Sequence, residues 1–421
     1  MNMKPYDTII QTNNNFNNQN KKENFFTVKL VTSGLTDMLW QLSLLYRIGQ
    51  LCDYTYVHTS LAYEKRYELN FPGKILKKIE TTVNKFLQID RYSDKISNFL
   101  GLDKWEQNIS NKKFINFKII EIPIDEIYYE DKISNIEQLK ESIEKFITEI
   151  TPSAKKIIYC LAFRPQLYED RRAFRLDELL NSADPEGIML QPLKLQLSEN
   201  YCKARQNRPL HIPFNSQTVK IVIHLRKGDR MLVNLNKKIM GVFSTRIKFF
   251  ESIDDLDEWE IENYSNSNNT DKADTLLQKI FSRYGEENFS IIVMSDGDER
   301  TFQNIRHAMF KGEIKLSKEE KRQLNNLEKT LNKEFEIFSK YSNVYTLVGE
   351  SEKNTFESIH AIICADIIIK TSGNFAWVLH SLFKRQDRSS TIIQLGQDDD
   401  LAIEKIGLCL ANNISVPKNR P

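Results

Sequence analysis

The fold is decided by the segment Val219-Lys220-Ile221-Val222-Ile223-His224-Leu225-Arg226-Lys227-Gly228-Asp229-Arg230. Its first residues form an apolar run interrupted only by Lys220, the pattern of a strand buried on both faces of a parallel sheet. The chain then brings a histidine, three cations, a glycine and an aspartate to the carboxyl end of that strand. Ligands of open α/β sheets bind at that end. The segment therefore predicts a parallel sheet with a ligand site at its edge.

Other apolar runs extend the same pattern along the chain. Four of them follow the opening segment and alternate with helical patterns, as is typical of a parallel sheet with crossover helices. They lie at 290–294, 344–347, 366–370 and 391–395. In the N-terminal half, strands are predicted at 25–31, 54–58, 117–122 and 156–161, with an amphipathic helix after the first. The fold class is therefore α/β.

Length and breakers suggest how the chain divides. With 421 residues, it exceeds one ordinary core and predicts two domains of about 200 residues each. The polar, Asn-rich residues 1–24 are expected to be a disordered tail. Because Pro209 and Pro213 interrupt the helical pattern, we place an N-terminal α/β domain at 25–212 and a C-terminal one at 213–421. The acidic stretch 253–271 predicts a surface insertion.

A long charged helix is predicted at 317–340. Ser317 and Glu320 have the spacing of a capping box, and apolar residues recur every three or four positions after them. Its charges are expected to form a solvated face.

Composition excludes several classes of protein. Lys plus Arg number 59 against 57 Asp plus Glu, so no basic surface for nucleic acid is implied. No apolar run is long enough to cross a bilayer, and the N-terminus lacks the apolar core of a secretory signal. Five scattered cysteines, with no C-x-x-C pair, predict reduced thiols. These features predict a soluble, cytoplasmic protein without a transmembrane segment, a zinc site or a P-loop.

The basic run after the first strand indicates an anionic ligand. Arg226, Lys227 and Arg230 fall within five residues and would repel one another unless they met an anion. Arginine offers a planar fork that suits phosphate, so a diphosphate is the natural counter-ligand. The alternative is a strand end that merely reaches solvent, with Asp229 capping the next helix.

The run resembles the H-x-R-R-x-D segment of the fucosyltransferase superfamily, which covers α1,2-, α1,6- and protein O-fucosyltransferases. Three other stretches are similar to family motifs in order and spacing. Gly34 to Gln41 resembles the first-strand turn G-G-L-G-N-Q-L-F-Q. Ile291 to Asp298 resembles a strand ending in Ser or Thr and then Asp, and Ala365 to Trp377 resembles an apolar strand followed by S-x-S-S-F-S-W.

This resemblance implies a GT-B-like fold, with two Rossmann-like domains facing a cleft. It implies transfer of L-fucose from GDP-fucose to a glycan or other hydroxyl acceptor, with inversion and with neither metal nor another cofactor. Arg226 would stabilise the charge that grows on the β-phosphate. Asp229 would be either the general base or an organiser of the arginines. The expected substrate-binding residues are His224, Lys227, Arg230, Asp296, Ser372, Gly373, Asn374, Phe375, Gly34 and Leu35.

Several of these roles leave an alternative open. His224 is either a hydrogen-bond partner of the nucleotide or a core group, and Lys227 lacks the fork of the arginine that the family commonly has there. Gly34 and Leu35 form either a close approach to ligand or an ordinary tight turn. Asp37 and His58 are further candidates for the base. The resemblance supports GDP better than fucose, and no motif identifies the acceptor.

Three other functions compete with this interpretation. Asp296-Gly297-Asp298 also fits the D-x-D motif of metal-dependent GT-A glycosyltransferases, in which paired carboxylates hold Mn²⁺ or Mg²⁺. That interpretation leaves the basic run without a purpose. A non-catalytic nucleotide-sugar or glycan-binding protein on a transferase scaffold is the second alternative, and an interaction protein built on the charged helix is the third.

Overall fold

The computed structural model describes residues 24–30, 34–59, 92–105, 107–128, 133–150, 156–163, 172–227, 230–235, 238–243, 246–257, 269–330, 332–349, 351–371, 373–384, 391–396 and 398–415. The N-terminal tail predicted at 1–24 therefore lies outside the described residues, apart from Asn24. So does most of the insertion predicted at 253–271. Of that stretch, residues Ile253–Asp255 form a 3₁₀ turn, and a helix begins at Asn269.

The first half of the chain contains these elements: β1 (Phe25–Lys29), α1 (Leu35–Leu51), β2 (Thr55–Tyr56), α2 (Tyr92–Leu100), β3 (Lys118–Pro123), α3 (Ile124–Ile127), α4 (Ile136–Ile150), β4 (Ile157–Ala162), α5 (Arg172–Ala183) and α6 (Gln191–Asn207). The second half contains β5 (Val219–His224), β6 (Arg230–Leu235), β7 (Lys238–Phe243), β8 (Arg246–Phe250), α7 (Asn269–Tyr284), β9 (Phe289–Ser295), α8 (Glu299–Lys311), α9 (Lys318–Glu328), β10 (Val344–Val348), α10 (Glu352–Cys364), β11 (Ile367–Lys370), α11 (Phe375–Phe383), β12 (Thr391–Gln394) and α12 (Asp399–Ser415).

The predicted α/β class is confirmed most clearly by a five-stranded sheet in the second half. All its described pairings are parallel, and its strand order is β10-β9-β5-β11-β12. Counted from β5, this is the order 3-2-1-4-5 of the Rossmann fold. The order reverses between β5 and β11, because the chain adds β9 and β10 on one side before crossing to the other. The five strands coincide with the predicted apolar runs to within one or two residues.

Alternate residues of the central strands divide between two apolar layers. On one face, Val219, Ile221 and Ile223 of β5 pack with residues of α7 and α12 in one continuous core. Val222 points to the other face and is fully buried as well. A sheet covered on both faces explains why β5 is a continuous apolar run rather than an alternating one. Because His224 alternates with Ile223, it also lies on the second face.

A four-stranded sheet in the first half is likewise parallel in its described pairings. Its order is β2-β1-β4-β3, and the two central strands align Phe25 with Ile158 and Lys29 with Ala162. The aromatic rings of Phe25, Phe114 and Phe117 meet edge to face, with centroids 5.4 to 5.6 Å apart. The predicted strands of this half are therefore confirmed, although β2 is shorter than the predicted 54–58.

A three-stranded antiparallel sheet, β6-β7-β8, was not predicted. It follows directly from the basic run, since β6 begins at Arg230. One face packs with α8 and α9 through Val233, Met240, Phe302 and Leu324. Only two residues separate β6 from β7 and β7 from β8 in the sequence, and no strand was expected between 226 and 289.

The long helix predicted at 317–340 is wrong in its length. Its start is confirmed: the Ser317 hydroxyl accepts from the Glu320 N–H at 3.2 Å, and the Glu320 carboxylate accepts from the Ser317 N–H at 2.7 Å. The helix ends at Glu328, and a separate 3₁₀ segment runs over Lys333–Lys340. Asn332, with φ of 61°, adopts the left-handed conformation between them and ends the α-helical path.

The described residues fall into two compact units that are not continuous in sequence. One takes its residues from Met1–Val31, Leu42–Thr59 and Glu106–Met189, and the other takes them from Thr32–Gln41, Ser60–Trp105 and Leu190–Pro421. The predicted boundary at 212 does not match this division: α2 and the first residues of α1 also group with the second half of the chain, and so does α6. This helix belongs with the second unit because it packs on α2 and α11, with Tyr201 against the rings of Phe99 and Phe383. No described helix is both long and apolar enough to span a bilayer.

Candidate functional site

Three neighbouring strands of the five-stranded sheet bring the predicted residues together. Beyond the end of β5, the N–H of Leu225 donates to the carbonyl of Met294 in β9 at 2.9 Å. On the other side, the N–H of Thr371 donates to the His224 carbonyl at 3.1 Å. The residues that follow β5, β9 and β11 therefore share one edge of the sheet. The edge between β5 and β11 is also the topological switch point, where open α/β sheets bind ligands.

Arg226 lies at this switch point and is held by the turn after β11. Its backbone N–H donates to Oγ1 of Thr371 at 2.9 Å. Its side chain passes over Gly373: a Cβ at that glycine would be 3.0 Å from Cδ of Arg226 and would collide with the guanidinium. Gly373 also has a φ of 96°, which disfavours any residue with a Cβ. The glycine therefore provides the space in which the partly exposed Arg226 side chain lies.

The same turn leads into α11, which begins at Phe375. Asn374 precedes the helix, and its side-chain oxygen accepts from Nε1 of Trp377 at 3.1 Å. Its carbonyl accepts from the N–H of Val378 at 3.1 Å, the first turn of the helix. The amino end of an α-helix presents N–H groups and a partial positive charge to anions. Arg226 and α11 thus bring two kinds of positive potential to one turn.

His224 is a buried, neutral imidazole at the end of β5. Its side chain is 7% exposed, and its ring lies 5.5 Å from the ring of Phe375, centroid to centroid. Burial, reinforced by the cations Arg226 and Lys370, lowers the pKa of His224 to about 3. At neutral pH the ring is therefore able to exchange hydrogen bonds but carries no charge.

Lys227 points into the protein. Its ammonium lies 3.7 Å from Oδ2 of Asp298 and forms an ion pair with Glu334. Its side chain is only 3% exposed, and burial lowers its pKa. Burial also raises the pKa of Asp298. The structure therefore separates the two adjacent cations, with Arg226 on the turn after β11 and Lys227 among carboxylates.

Asp296 follows β9 and accepts at Oδ1 from the backbone N–H of Lys227 at 2.9 Å. It is partly exposed, whereas Gly297 and Asp298 beyond it are buried. Gly297 has a φ of 75°, and its N–H donates to Oγ of Ser295 at 3.1 Å. Asp296 is thus fixed beside the end of β5, on the opposite side from Arg226.

Residues that the sequence analysis missed complete this edge of the sheet. Asn332 donates from Nδ2 to Oε1 of Glu299 at 2.8 Å and accepts at Oδ1 from the N–H of Asp298 at 3.3 Å. The left-handed Asn332 was hidden inside the predicted continuous helix. Thr371 was also missed, although its place directly after an apolar strand was a usable signal.

The remaining predicted residues are less closely tied to this edge. Gly34 and Leu35 start α1, where the Gly34 carbonyl accepts from the N–H of Met38 at 3.0 Å and Leu35 is buried. Arg230 opens β6 opposite Phe243, and the position of its side chain is not described. Asp229 and Ser372 lie outside the described residues, so their roles remain predictions.

The described residues were also compared with the arrangements that bind metal ions or form disulfides. Across the described ranges, no group of three or more His, Cys, Asp or Glu side chains is arranged to hold a metal ion. The five cysteines all lie within those ranges as free thiols, and Cys52, Cys160 and Cys409 are buried.

Comparison with known proteins gives structural likenesses only. No protein-family model and no curated protein matches the chain. POFUT1 in complex with GDP is 11% identical, with a TM-score of 0.34 over 87% of this chain and 98% of that chain. POFUT1 in complex with GDP-fucose is also 11% identical, with a TM-score of 0.31 over 89% and 99%. A mutant of Arabidopsis thaliana FUT1 in complex with GDP is 11% identical, with a TM-score of 0.29 over 87% and 72%. At these TM-scores we base neither fold nor activity on the likenesses.

Proposed function

We propose that this protein is a glycosyltransferase that transfers L-fucose from GDP-fucose to a hydroxyl acceptor, with inversion and without a metal. The observation that carries the proposal is the placement of Arg226. It lies at the switch point of a Rossmann-ordered sheet, over Gly373 and beside the amino end of α11. This is where such a sheet binds a nucleotide, and the local charge suits a diphosphate.

The diphosphate would lie between the Arg226 guanidinium and the first turn of α11. As the glycosidic bond breaks, negative charge accumulates on the β-phosphate of the departing GDP. A guanidinium fixed by packing stabilises that charge without having to reorganise. Thr371 and Gly373 contribute by fixing the backbone and giving room to the side chain of Arg226.

Asp296 and His224 favour guanine over the other bases. A carboxylate accepts hydrogen bonds only, and the guanine edge offers two adjacent donors, N1–H and the N2 amino group. Adenine presents an acceptor at N1, which a carboxylate repels. His224 is neutral and supplies a hydrogen-bonding partner without adding charge. These groups, together with the motif resemblance, support GDP as the nucleotide.

The D-x-D alternative requires both Asp296 and Asp298 to face a metal ion. Asp298 is buried and lies 3.7 Å from the ammonium of Lys227, while Asp296 accepts from the Lys227 N–H. A divalent cation bound by this pair would have to compete with the lysine. Arg226 and α11 already supply positive charge for the diphosphate, so the geometry favours metal-free binding.

The acceptor hydroxyl must lose its proton to a base as it attacks the sugar. Asp229 is proposed for this role, or as the group that orients Arg226, on the motif resemblance alone. The acceptor is proposed only as a glycan or other hydroxyl compound.

The test is a titration of purified protein with GDP, UDP and ADP in EDTA, followed by turnover of GDP-fucose with a glycan array. We expect GDP to bind at least about tenfold more tightly than UDP or ADP, roughly the value of one discriminating hydrogen bond. Binding of UDP only after Mn²⁺ is added would favour the D-x-D enzyme instead. Tight GDP binding without fucose transfer to any acceptor would favour a non-catalytic binding protein.

A further inference from the structure

A largely buried group of opposite charges lies at the same edge of the five-stranded sheet as the proposed diphosphate site. It consists of Lys227, Asp298 and Glu334, which we name the Lys227 cluster. The Lys227 and Asp298 side chains are 3% and 5% exposed, and Glu334 is one-third exposed. The ring of Phe335 covers the ammonium, with its centroid 5.7 Å from Nζ. The lysine of the basic run is therefore taken out of solvent and matched with two carboxylates.

The cluster joins three separate segments of the chain. Lys227 follows β5, Asp298 follows β9, and Glu334 belongs to the 3₁₀ segment Lys333–Lys340. Hydrogen bonds from backbone N–H groups connect the same three segments. The Lys227 N–H donates to Asp296, and the Asp298 N–H donates to Asn332 at the start of the 3₁₀ segment. Both the backbone and the side chain of Lys227 therefore fix the end of β5.

Burial decides what Lys227 is able to do. Pulling its ammonium out to meet a phosphate would leave the buried Asp298 carboxylate and the partly exposed Glu334 carboxylate without their counter-charge, which is unfavourable above all for Asp298. Arg226, one residue earlier, has its side chain over Gly373 instead. The two neighbouring cations thus face different partners.

We propose that Lys227 is a positioning residue: by neutralising Asp298 and Glu334, it holds the end of β5 where Arg226 meets the diphosphate. This inference rests on the proposed function, since it assigns how that same site is organised. It departs from the expectation that the second cation of the motif contacts phosphate.

Removing the lysine alone has a different consequence from removing the whole cluster. Lys227→Met leaves two carboxylates near the anion site, where they repel a diphosphate. It also removes the ion pairs that hold the end of β5 in place. Replacing Asp298 by Asn and Glu334 by Gln at the same time removes that repulsion while keeping similar shapes. Replacing every member of a buried ion cluster leaves no unpaired charge. Removing only one member leaves a buried charge without its partner, which is costly.

The experiment measures the dissociation constant of GDP and the thermal midpoint of four proteins: the native chain, Lys227→Met, Asp298→Asn/Glu334→Gln, and the triple variant. We expect Lys227→Met to bind GDP about 30-fold more weakly, and the triple variant to recover to within about threefold of the native value. If Lys227 itself contacts phosphate, the triple variant stays as weak as Lys227→Met, and the proposal is overturned. A purely structural role would lower the thermal midpoint of Lys227→Met and leave its GDP affinity unchanged.

A matched control is Lys279→Met, which breaks an exposed pair with Asp399 at 2.7 Å and should change neither readout. If Lys227→Met does not fold, the triple variant decides alone, because a lost phosphate contact would still weaken it about 30-fold. If the native chain does not bind GDP, the proposed function fails first and the positioning role fails with it. If the native chain binds GDP and only the recovery is missing, the positioning role fails while the proposed function stands.

Discussion

The two parallel sheets differ at their carboxyl ends. In the five-stranded sheet, that end carries Arg226 on a glycine turn and Asp296 beside it, with both side chains partly exposed. In the four-stranded sheet, two of the described residues at that end are buried. His58 is 1% exposed, with Nδ1 3.1 Å from the Tyr56 hydroxyl, and β4 runs into the buried Phe163. Among the described residues, the five-stranded sheet therefore ends in groups suited to an anion, whereas the four-stranded sheet ends in buried rings and the surface ion pair Lys29–Glu121.

Backbone conformation contributes to the difference. In the five-stranded sheet, each of the strands β9 to β12 is followed closely by a glycine with positive φ: Gly297, Gly349, Gly373 and Gly396. Such residues turn the chain sharply and expose backbone groups without a Cβ in the way. Single substitutions at these glycines and at the neighbouring side chains therefore test the difference between the two sheets.

Outside the basic run 226–230, the largest effect is expected for Gly373→Ala. The Cβ of the new alanine would collide with the Arg226 guanidinium. The alanine would also have to adopt a φ of 96°, which residues with a Cβ rarely do. Displacing the arginine should weaken GDP binding about 30-fold, the loss of one charge-assisted hydrogen bond. The measurement is a GDP titration by calorimetry, together with a thermal melt.

Gly312→Ala is the matched control for that substitution. Gly312 ends α8 with a φ of 74°, and a Cβ there would meet nothing within 4 Å. It should lose about 1 kcal/mol of stability through backbone strain alone and keep its GDP affinity. Equal losses of affinity in the two variants would mean that the contact with Arg226 is unimportant.

Intermediate effects are expected for substitutions of the two histidines near strand ends, His224 and His58. Burial lowers the pKa of His224 to about 3 and that of His58 to about 4, from 6.5 in both cases. The unfolded chain therefore takes up these protons first, and the stability contributed by each neutral ring is lost as the pH falls below 6.5. His224→Gln and His58→Gln should each remove about 2 kcal/mol of the stability loss between pH 7 and pH 5.

Only one of the two variants should affect the ligand. We expect His224→Gln to weaken GDP binding about tenfold, because the imidazole is a proposed partner of the nucleotide. His58→Gln should leave GDP binding unchanged. Denaturant unfolding at both pH values, with GDP titration at pH 7, measures all four quantities. A loss of affinity in His58→Gln as large as in His224→Gln would remove the distinction between the sheets.

The smallest effect is expected at the surface of the four-stranded sheet. Lys29, at the end of β1, pairs with Glu121 at 2.6 Å, and the two side chains are 61% and 41% exposed. Exposed pairs contribute at most about 1 kcal/mol, so Lys29→Ala should lower the free energy of unfolding by less than that. GDP affinity should not change. A tenfold weaker affinity would indicate that GDP binds at the four-stranded sheet instead.

The sequence predicted the strands better than what lies between them. Continuous apolar runs such as 219–225 are unambiguous because both faces of each strand are buried. The antiparallel strands β6 to β8 escaped prediction, because each has only five or six residues and its apolar residues are interrupted by a polar residue or a glycine. The helix at 317–340 was overextended because apolar spacing continues through Asn332, although the backbone there is left-handed.

The sequence was enough to predict several residues of the candidate site, but not where their side chains point. Charge and position selected Arg226, Lys227 and Asp296, and all three lie at one edge of the sheet. A sequence gives no indication that one cation of an adjacent pair lies on a turn while the next is buried among carboxylates. That outcome depends on Glu334, which is brought to the site by a segment more than a hundred residues away.

Calorimetric titration of the native protein and of Arg226→Ala with GDP in EDTA tests directly whether Arg226 anchors the diphosphate. Arg208→Ala, which changes an exposed arginine at the end of α6, serves as the control. We predict metal-free GDP binding that falls at least about 100-fold in Arg226→Ala and is unchanged in Arg208→Ala. Equal GDP affinity in the native protein and Arg226→Ala would mean that the arginine at the switch point is not the anchor of the diphosphate.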